Sequence, residues 1–258
     1  MHKRSGPRIG PRYGVARVLS KRGLCSRRQG EALVREGRVK VNGRTVRDPE
    51  HPVDPQRDRV EVDGARLEQS ARRCLALNKP RGLVTTRVDE RGRDTVYACL
   101  AGIDEGWLAP VGRLDKASEG LLLFTNDPTW AAAVLDPQRG PDKTYHVRLD
   151  APFDPQWVAR LEAGITIEPD QPPWRCRQVR LLREAERSCW VEVVLDEGRN
   201  RQIRRLFEAL GAGVLRLVRV AIGDLLLGEL AKGAWRWLDD DEIRRLVADS
   251  PAEPGADR

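Results

Sequence analysis

The sequence predicts an α+β chain of two domains, and three observations carry that expectation. Near the N-terminus, two short helical patterns, each closed by a glycine, run into alternating strand residues and an Asn-Gly turn. Farther along, residues 143–149 and 189–195 alternate apolar and polar, and residues 121–124 form a short continuous apolar run of the kind found in core strands. Between these regions lies a polar stretch, residues 64–73, that reads as a linker.

The 258 residues allow one large or two modest domains. No apolar run is long enough to cross a bilayer. The first residues are basic but lack the apolar core of a secretory signal, and the scattered cysteines fit a reducing cytosol, so a cytoplasmic location is expected. The formal charge of +7 points to a polyanionic partner. Five scattered cysteines without a Cys-x-x-Cys, and three distant histidines, argue against a disulfide framework or a zinc site. There is no phosphate-binding Gly-rich loop and no dinucleotide fingerprint, so neither cofactor nor metal is expected.

Residues 1–12 are basic and rich in Gly and Pro, and read as a disordered arm. Val15, Val18 and Leu19 then share a helical face, with Gly23 closing the helix. Ser26 caps a second helix that ends at Gly37. Val39-Lys40-Val41 reads as a strand entering a hairpin at Asn42-Gly43, and residues 60–64 as a last strand and turn after a proline-marked loop. Arg17, Lys21, Arg27, Arg28, Arg38 and Lys40 cluster on this piece and are candidates for contacting RNA phosphates.

The second domain opens with two short apolar segments, 75–78 and 83–86, around Lys79-Pro80-Arg81-Gly82, which predicts a hairpin. Gly112-Arg113-Leu114-Asp115 follows as a loop that feeds the buried strand 121–124, and Asp127-Pro128 opens a helix. Asp115 is thus an acid on a loop held by a rigid element. In 143–149, Tyr145, Val147 and Leu149 face one way. A helix is expected over 154–163, and strands broken by prolines over 165–183. Asn200 is the expected cap of a later helix whose core face is Ile203, Leu206, Phe207 and Leu210, with Gly211 beyond its end. Arg201, Arg204 and Arg205 sit near the start of that helix, where cations oppose the dipole and an anion nearby would explain them. Residues 239–247 form an end helix and 249–258 a disordered tail.

Gly112-Arg113-Leu114-Asp115, then Ser118-x-Gly120-Leu121-Leu122-Leu123 and Thr125-Asn126-Asp127, resembles the signature of the RsuA/RluB family of RNA pseudouridine synthases. The N-terminal piece, Leu19-Ser20-x-x-Gly23-x-x-Ser26-Arg27-Arg28 with Gly37-Arg38-Val39-x-Val41-Asn42-Gly43, resembles the S4 RNA-binding domain. The resemblance implies a small S4 domain over 13–63 and a larger pseudouridine synthase domain over 74–248, built on a mixed, mainly antiparallel sheet. It implies that Asp115 is the catalytic residue and that Tyr145, in Lys143-x-Tyr145, stacks on the target base. Glu197-Gly198-Arg199-Asn200-Arg201-Gln202-Ile203-Arg204 resembles the family's third motif. Its basic residue, which pairs with the aspartate, is carried onto Arg204, with Arg201 as the alternative. Arg113, beside Asp115, is expected to fill the space left by an extruded base or to hold a phosphate. The implied substrate is ribosomal RNA or a pre-ribosomal particle. The form of the third motif looks more like large-subunit than small-subunit enzymes, which favours 23S over 16S rRNA. A monomer is expected. Two other readings fit the basic surface: a non-catalytic ribosome-assembly factor, and an RNA N-glycosidase, which would need a second carboxylate.

Overall fold

The computed structural model describes residues 11–247 apart from 69, 88, 104 and 105. The expected arm (residues 1–10 of it) and the expected tail lie outside the described residues. The chain divides into two compact units, one comprising Met1–Arg73 with Asp104–Ala109 and Asn126–Thr129, the other Cys74–Ile103, Pro110–Thr125 and Trp130–Arg258.

The first unit begins with β1 (Tyr13–Gly14), α1 (Val15–Lys21) and α2 (Arg27–Arg35), followed by β2 (Val39–Val41), β3 (Arg44–Val46), β4 (Pro52–Val53), β5 (Val60–Val62) and β6 (Ala65–Arg66). Ser26 caps α2 in a full capping box with Gln29. Gly23 and Gly37 take the left-handed backbone beyond α1 and α2. Asn42 and Gly43 both have positive φ, as the two-residue turn between β2 and β3 requires. Val15, Val18, Leu19, Val34, Val39 and Val60 make the core.

Two expectations change here. The proline-marked loop contains β4, which pairs with β1. The expected linker starts inside the fold: β6 pairs with β5, and Leu67 is buried in the core with its N–H donating to the Val60 carbonyl at 2.8 Å. One leucine among alanines and polar residues gave no period to read, yet its burial ties this segment to the core.

The second unit carries β7 (Cys74–Lys79), β8 (Ala109–Val111), β9 (Glu119–Thr125), α3 (Pro128–Leu135), β10 (Lys143–Leu149), α4 (Gln156–Ala163), β11 (Gln178–Ala185), β12 (Ser188–Leu195), α5 (Gln202–Ala209), β13 (Val214–Ile222), β14 (Leu225–Leu226), β15 (Trp235–Trp237) and α6 (Asp240–Arg245). The sheet runs β11-β12-β10-β13-β9-β7-β15, with β14 on β13 and β8 on β9. Along that order β13 pairs parallel with β9 and the remaining neighbours are antiparallel, so the sheet is mixed and mainly antiparallel. β9 is buried at every position, because α3 and α6 cover one side: Leu121, Leu123, Trp130, Val134 and Ile243 pack together. On another part of the sheet, Phe153, Trp157 and Phe207 stack edge to face between α4 and α5.

The predicted hairpin at Lys79-Pro80-Arg81-Gly82 does not form. β7 pairs instead with β9 and β15, and residues 83–86 contribute a single bridge, Val84 to Thr95. The apolar pattern was that of a strand, but the partners of β7 lie more than forty residues away in sequence. The second correction concerns α5, whose cap is Arg201 rather than Asn200.

Candidate active site

Asp115 stands on the loop between β8 and β9, and several contacts hold that loop from below. Thr85 donates its hydroxyl to the Leu114 carbonyl at 2.7 Å, and the Gly82 N–H donates to the Lys116 carbonyl at 2.7 Å. Lys79 is fully buried, and its ammonium donates to the carbonyls of Ser118 (2.8 Å) and Pro80 (3.0 Å). Burial brings its pKa down to about 8, with the Asp115 charge the largest influence opposing that shift. The segment expected to be a hairpin is therefore a clasp under the Asp115 loop. Within the loop, the Ser118 N–H closes a turn onto the Asp115 carbonyl at 3.0 Å.

The opposite wall comes from residues 195–203. Arg201 has φ 53°, a left-handed backbone just before α5. Buried Gln202 holds this bend: its amide donates to the Arg175 carbonyl and to Glu197, both at 3.1 Å, and its carbonyl oxygen accepts from the Arg199 N–H at 3.1 Å. Arg199 and Arg205 lie over the Trp174 ring at 5.4 and 4.5 Å, and Arg205 pairs with Glu168 at 2.6 Å.

The cleft between these walls has a volume of about 310 Å³, within the range of small-ligand pockets. Asp115, Arg113, Tyr145 and Arg201 all line it. Tyr145 projects from β10 with only 8% of its surface exposed, on the same face as buried Val147 and Leu149. Arg201 Nη1 lies 3.8 Å from Asp115 Oδ2, and both side chains are partly exposed.

That contact is made by Arg201, the alternative, whereas the Arg204 guanidinium bonds to backbone carbonyls, one of them in the Asp115 loop. Its Nη1 donates to the Val214 carbonyl at 3.0 Å and its Nη2 to the Ala117 carbonyl at 3.4 Å. Arg204, within the helix, bridges Val214 on β13 and Ala117 in the Asp115 loop, whereas Arg201, at the bend, lines the cleft. Both charges are nonetheless felt at the loop. Burial and then the neighbouring Arg201 lower the Arg204 pKa, and the Asp115 carboxylate counters them.

Arg113 is exposed and, with Asp115, also borders a second cavity lined by Arg91 and Lys116. In the first unit, Arg17 and Lys21 lie over the Tyr13 ring at 4.9 and 5.0 Å. Arg27 pairs with Glu50 and Glu31, and Arg38 with Asp63 and Glu36. Arg28 and Lys40 are exposed. Glu119, the acid nearest Asp115 in sequence, is buried and pairs with Arg216 at 2.8 Å and Lys232 at 2.7 Å.

Sequence reasoning missed Lys79, Thr85 and Gln202 as positioning groups, and Lys143, Ser118 and Arg219 as lining of the cleft. A signal existed for Lys143, because it is two residues from Tyr145 on a strand and so shares its face. None existed for Thr85, which acts across a loop.

A family model described as RNA pseudouridylate synthase matches residues 73–209, and one described as S4 domain matches residues 15–60. An uncharacterized RNA pseudouridine synthase of Aquifex aeolicus (strain VF5) is 37% identical over 238 residues, which cover 90% of this chain and 92% of that protein. The ribosomal large subunit pseudouridine synthase B of Bacillus subtilis (strain 168) is 34% identical over 234 residues, covering 91% and 95%. A crystal structure of a pseudouridylate synthase superposes with a TM-score of 0.65 at 30% identity, covering 92% of this chain and all of that one.

Proposed function

This chain belongs to the RNA pseudouridylate synthase family, enzymes that isomerise uridine within RNA, and from that premise we propose that it modifies 23S ribosomal RNA with Asp115 as the attacking group. The observation that carries the site assignment is the meeting of Asp115, Arg201 and Tyr145 in one cleft. The large-subunit assignment is supported by the relative of Bacillus subtilis, which carries that name.

A stacked uridine must leave its helix to enter the cleft, at a cost of a few kcal/mol. Arg113, beside Asp115 and exposed, holds the RNA backbone or occupies the vacated space. Tyr145 stacks on the extruded base and presents a hydroxyl where a proton can be handled. The Arg201 guanidinium lies 3.8 Å from the Asp115 carboxylate, and a carboxylate is a competent nucleophile at carbon. Glu119 is engaged by two cations, so it does not act as the second carboxylate that an N-glycosidase would need.

The test compares wild type with Asp115→Asn on 23S rRNA from a strain lacking this gene. Wild type should form pseudouridine at one site, and the variant should bind the RNA with similar affinity and form none. Pseudouridine from Asp115→Asn at the wild-type rate would overturn the assignment, and release of free uracil by wild type would favour the glycosidase.

A further inference from the structure

The floor of the cleft holds two cations that nothing described so far uses. Lys143 and Arg219 both line it, with 8% and 6% of their surfaces exposed. The strand pairing puts them together with Tyr145. Arg219 on β13 is the register partner of Tyr145 on β10, and Lys143 lies two residues before Tyr145 on the same face. Arg219 Nε donates to the Leu121 carbonyl at 2.7 Å, while its Nη2 is buried without a partner. Among the described residues no carboxylate lies within ion-pairing distance of either cation. Two like charges side by side in a buried wall are costly. Burial and then Arg219 lower the Lys143 pKa, and Asp142, Asp196 and Asp136 offset this only from farther away. Buried polar groups left unpaired call for an explanation, and a bound anion supplies one here.

We propose that Lys143 and Arg219 form an anion cradle for the uracil ring as it separates from the ribose. The inference rests on the site reading above and assigns these two residues a catalytic role in it. When Asp115 bonds to C1′, the C1′–N1 bond breaks and its electron pair leaves on the base. The base is then uracilate, with charge spread over N1, O2 and O4. Should the base leave by loss of a ribose proton instead, the pair goes to the same atoms. Return through C5 forms the C1′–C5 bond and frees the Asp115 carboxylate. C5 then loses a proton and N1 gains one, so composition is unchanged. Donors that strengthen as charge develops stabilise the transition state more than the ground state. A backbone phosphate is the other anion to weigh, but the two cations share the face of Tyr145, where a base stacks.

The experiment uses full-length Lys143→Met and Arg219→Gln in single-turnover reactions, with the RNA Kd measured separately. Lys143→Met should lower the rate by about 100-fold, the effect of removing one donor to a developing anion, and leave Kd nearly unchanged. Lys143→Arg should restore most of the rate. With 5-fluorouridine at the target position the base departs more readily as an anion, so the loss at formation of the C5-linked nucleoside should shrink several-fold. A weakened Kd with an unchanged rate would assign the pair to phosphate and overturn the inference, as would an equal rate loss with both bases. Thermal unfolding monitors integrity. Arg219→Gln gives the same reading at the second cation should Lys143→Met fail to fold. Absence of product with wild type would overturn the site reading and this inference with it, whereas full activity of both variants would overturn the inference alone.

Discussion

Arg201 and Arg204 are three residues apart and make different contacts. The Arg201–Asp115 contact is 3.8 Å long and partly exposed, and such pairs contribute little to stability, about 0–1 kcal/mol. Arg204 satisfies two backbone carbonyls while partly buried, and leaving those acceptors unpaired costs about 1–3 kcal/mol. Arg201→Gln should therefore lower single-turnover activity at least about 10-fold with little change in melting temperature. Arg204→Gln should lower the melting temperature by several degrees, and calorimetry on both variants checks the split. Lys79 offers a pH signature. Unfolded, it stays charged up to its ordinary pKa of 10.5, and folded only up to about 8. Below pH 8 the cost of burying its charge is present in full. Between pH 8 and 10.5 the unfolded chain binds the extra proton, so this group's contribution to stability rises with pH. Denaturant unfolding of wild type and Lys79→Met at pH 7 and pH 10 should show the difference between them moving in favour of wild type, by at most about 3 kcal/mol.

At the scale of elements, the site depends on β9 and β13 running parallel at close approach. Gly120 has φ +99°, and a Cβ there would collide with the backbone of Arg219 on β13. The same strand pair carries Arg219 to the floor of the cleft and Glu119 to its two cations. Gly120→Ala should destabilise the protein by at least about 2 kcal/mol, summing left-handed strain and overpacking. Because β9 follows the Asp115 loop directly, activity should fall further than the lost stability accounts for, as measured at a temperature where the variant is still folded. The bend before α5 is positioned differently. It is held by Gln202, by Glu197 and by the two arginines over Trp174, so its shape comes from contacts with residues 168–175 and not from helix propensity.

For the molecule as a whole, a charge of +7 matters chiefly for meeting RNA. Each phosphate neutralised steepens the dependence of binding on salt by about one counterion. In the S4 unit, Arg28 and Lys40 are exposed, while Arg38 is held by Asp63 and Glu36. Arg28→Ala and Lys40→Ala should each reduce the slope of log Kd against log salt by about one. Arg38→Ala should change it less, because its ion pairs must open before it can take a phosphate. Filter binding across a salt series separates these outcomes.

Local patterns were enough for the helices and the hairpin of the S4 unit, though not for β4, β6 or the burial of Leu67. Caps at Ser26, glycines at 23 and 37, and the Asn42-Gly43 turn act within a few residues, and the structure has each where the sequence places it. The strand bearing Tyr145 and the loop bearing Asp115 were equally legible, since a two-residue period and a motif are both properties of contiguous chain. Residues that act across the fold were not. Lys79 as a clasp, the contact of Arg201 with Asp115, and Arg219 beside Tyr145 each depend on where a distant strand or bend arrives. The sequence by itself determined which chemistry is present, a loop carboxylate among arginines and a strand tyrosine. The tertiary structure decided which cation meets the carboxylate and which two line the cleft beside Tyr145, because strand register and a left-handed bend set those distances, and neither is encoded within a local window.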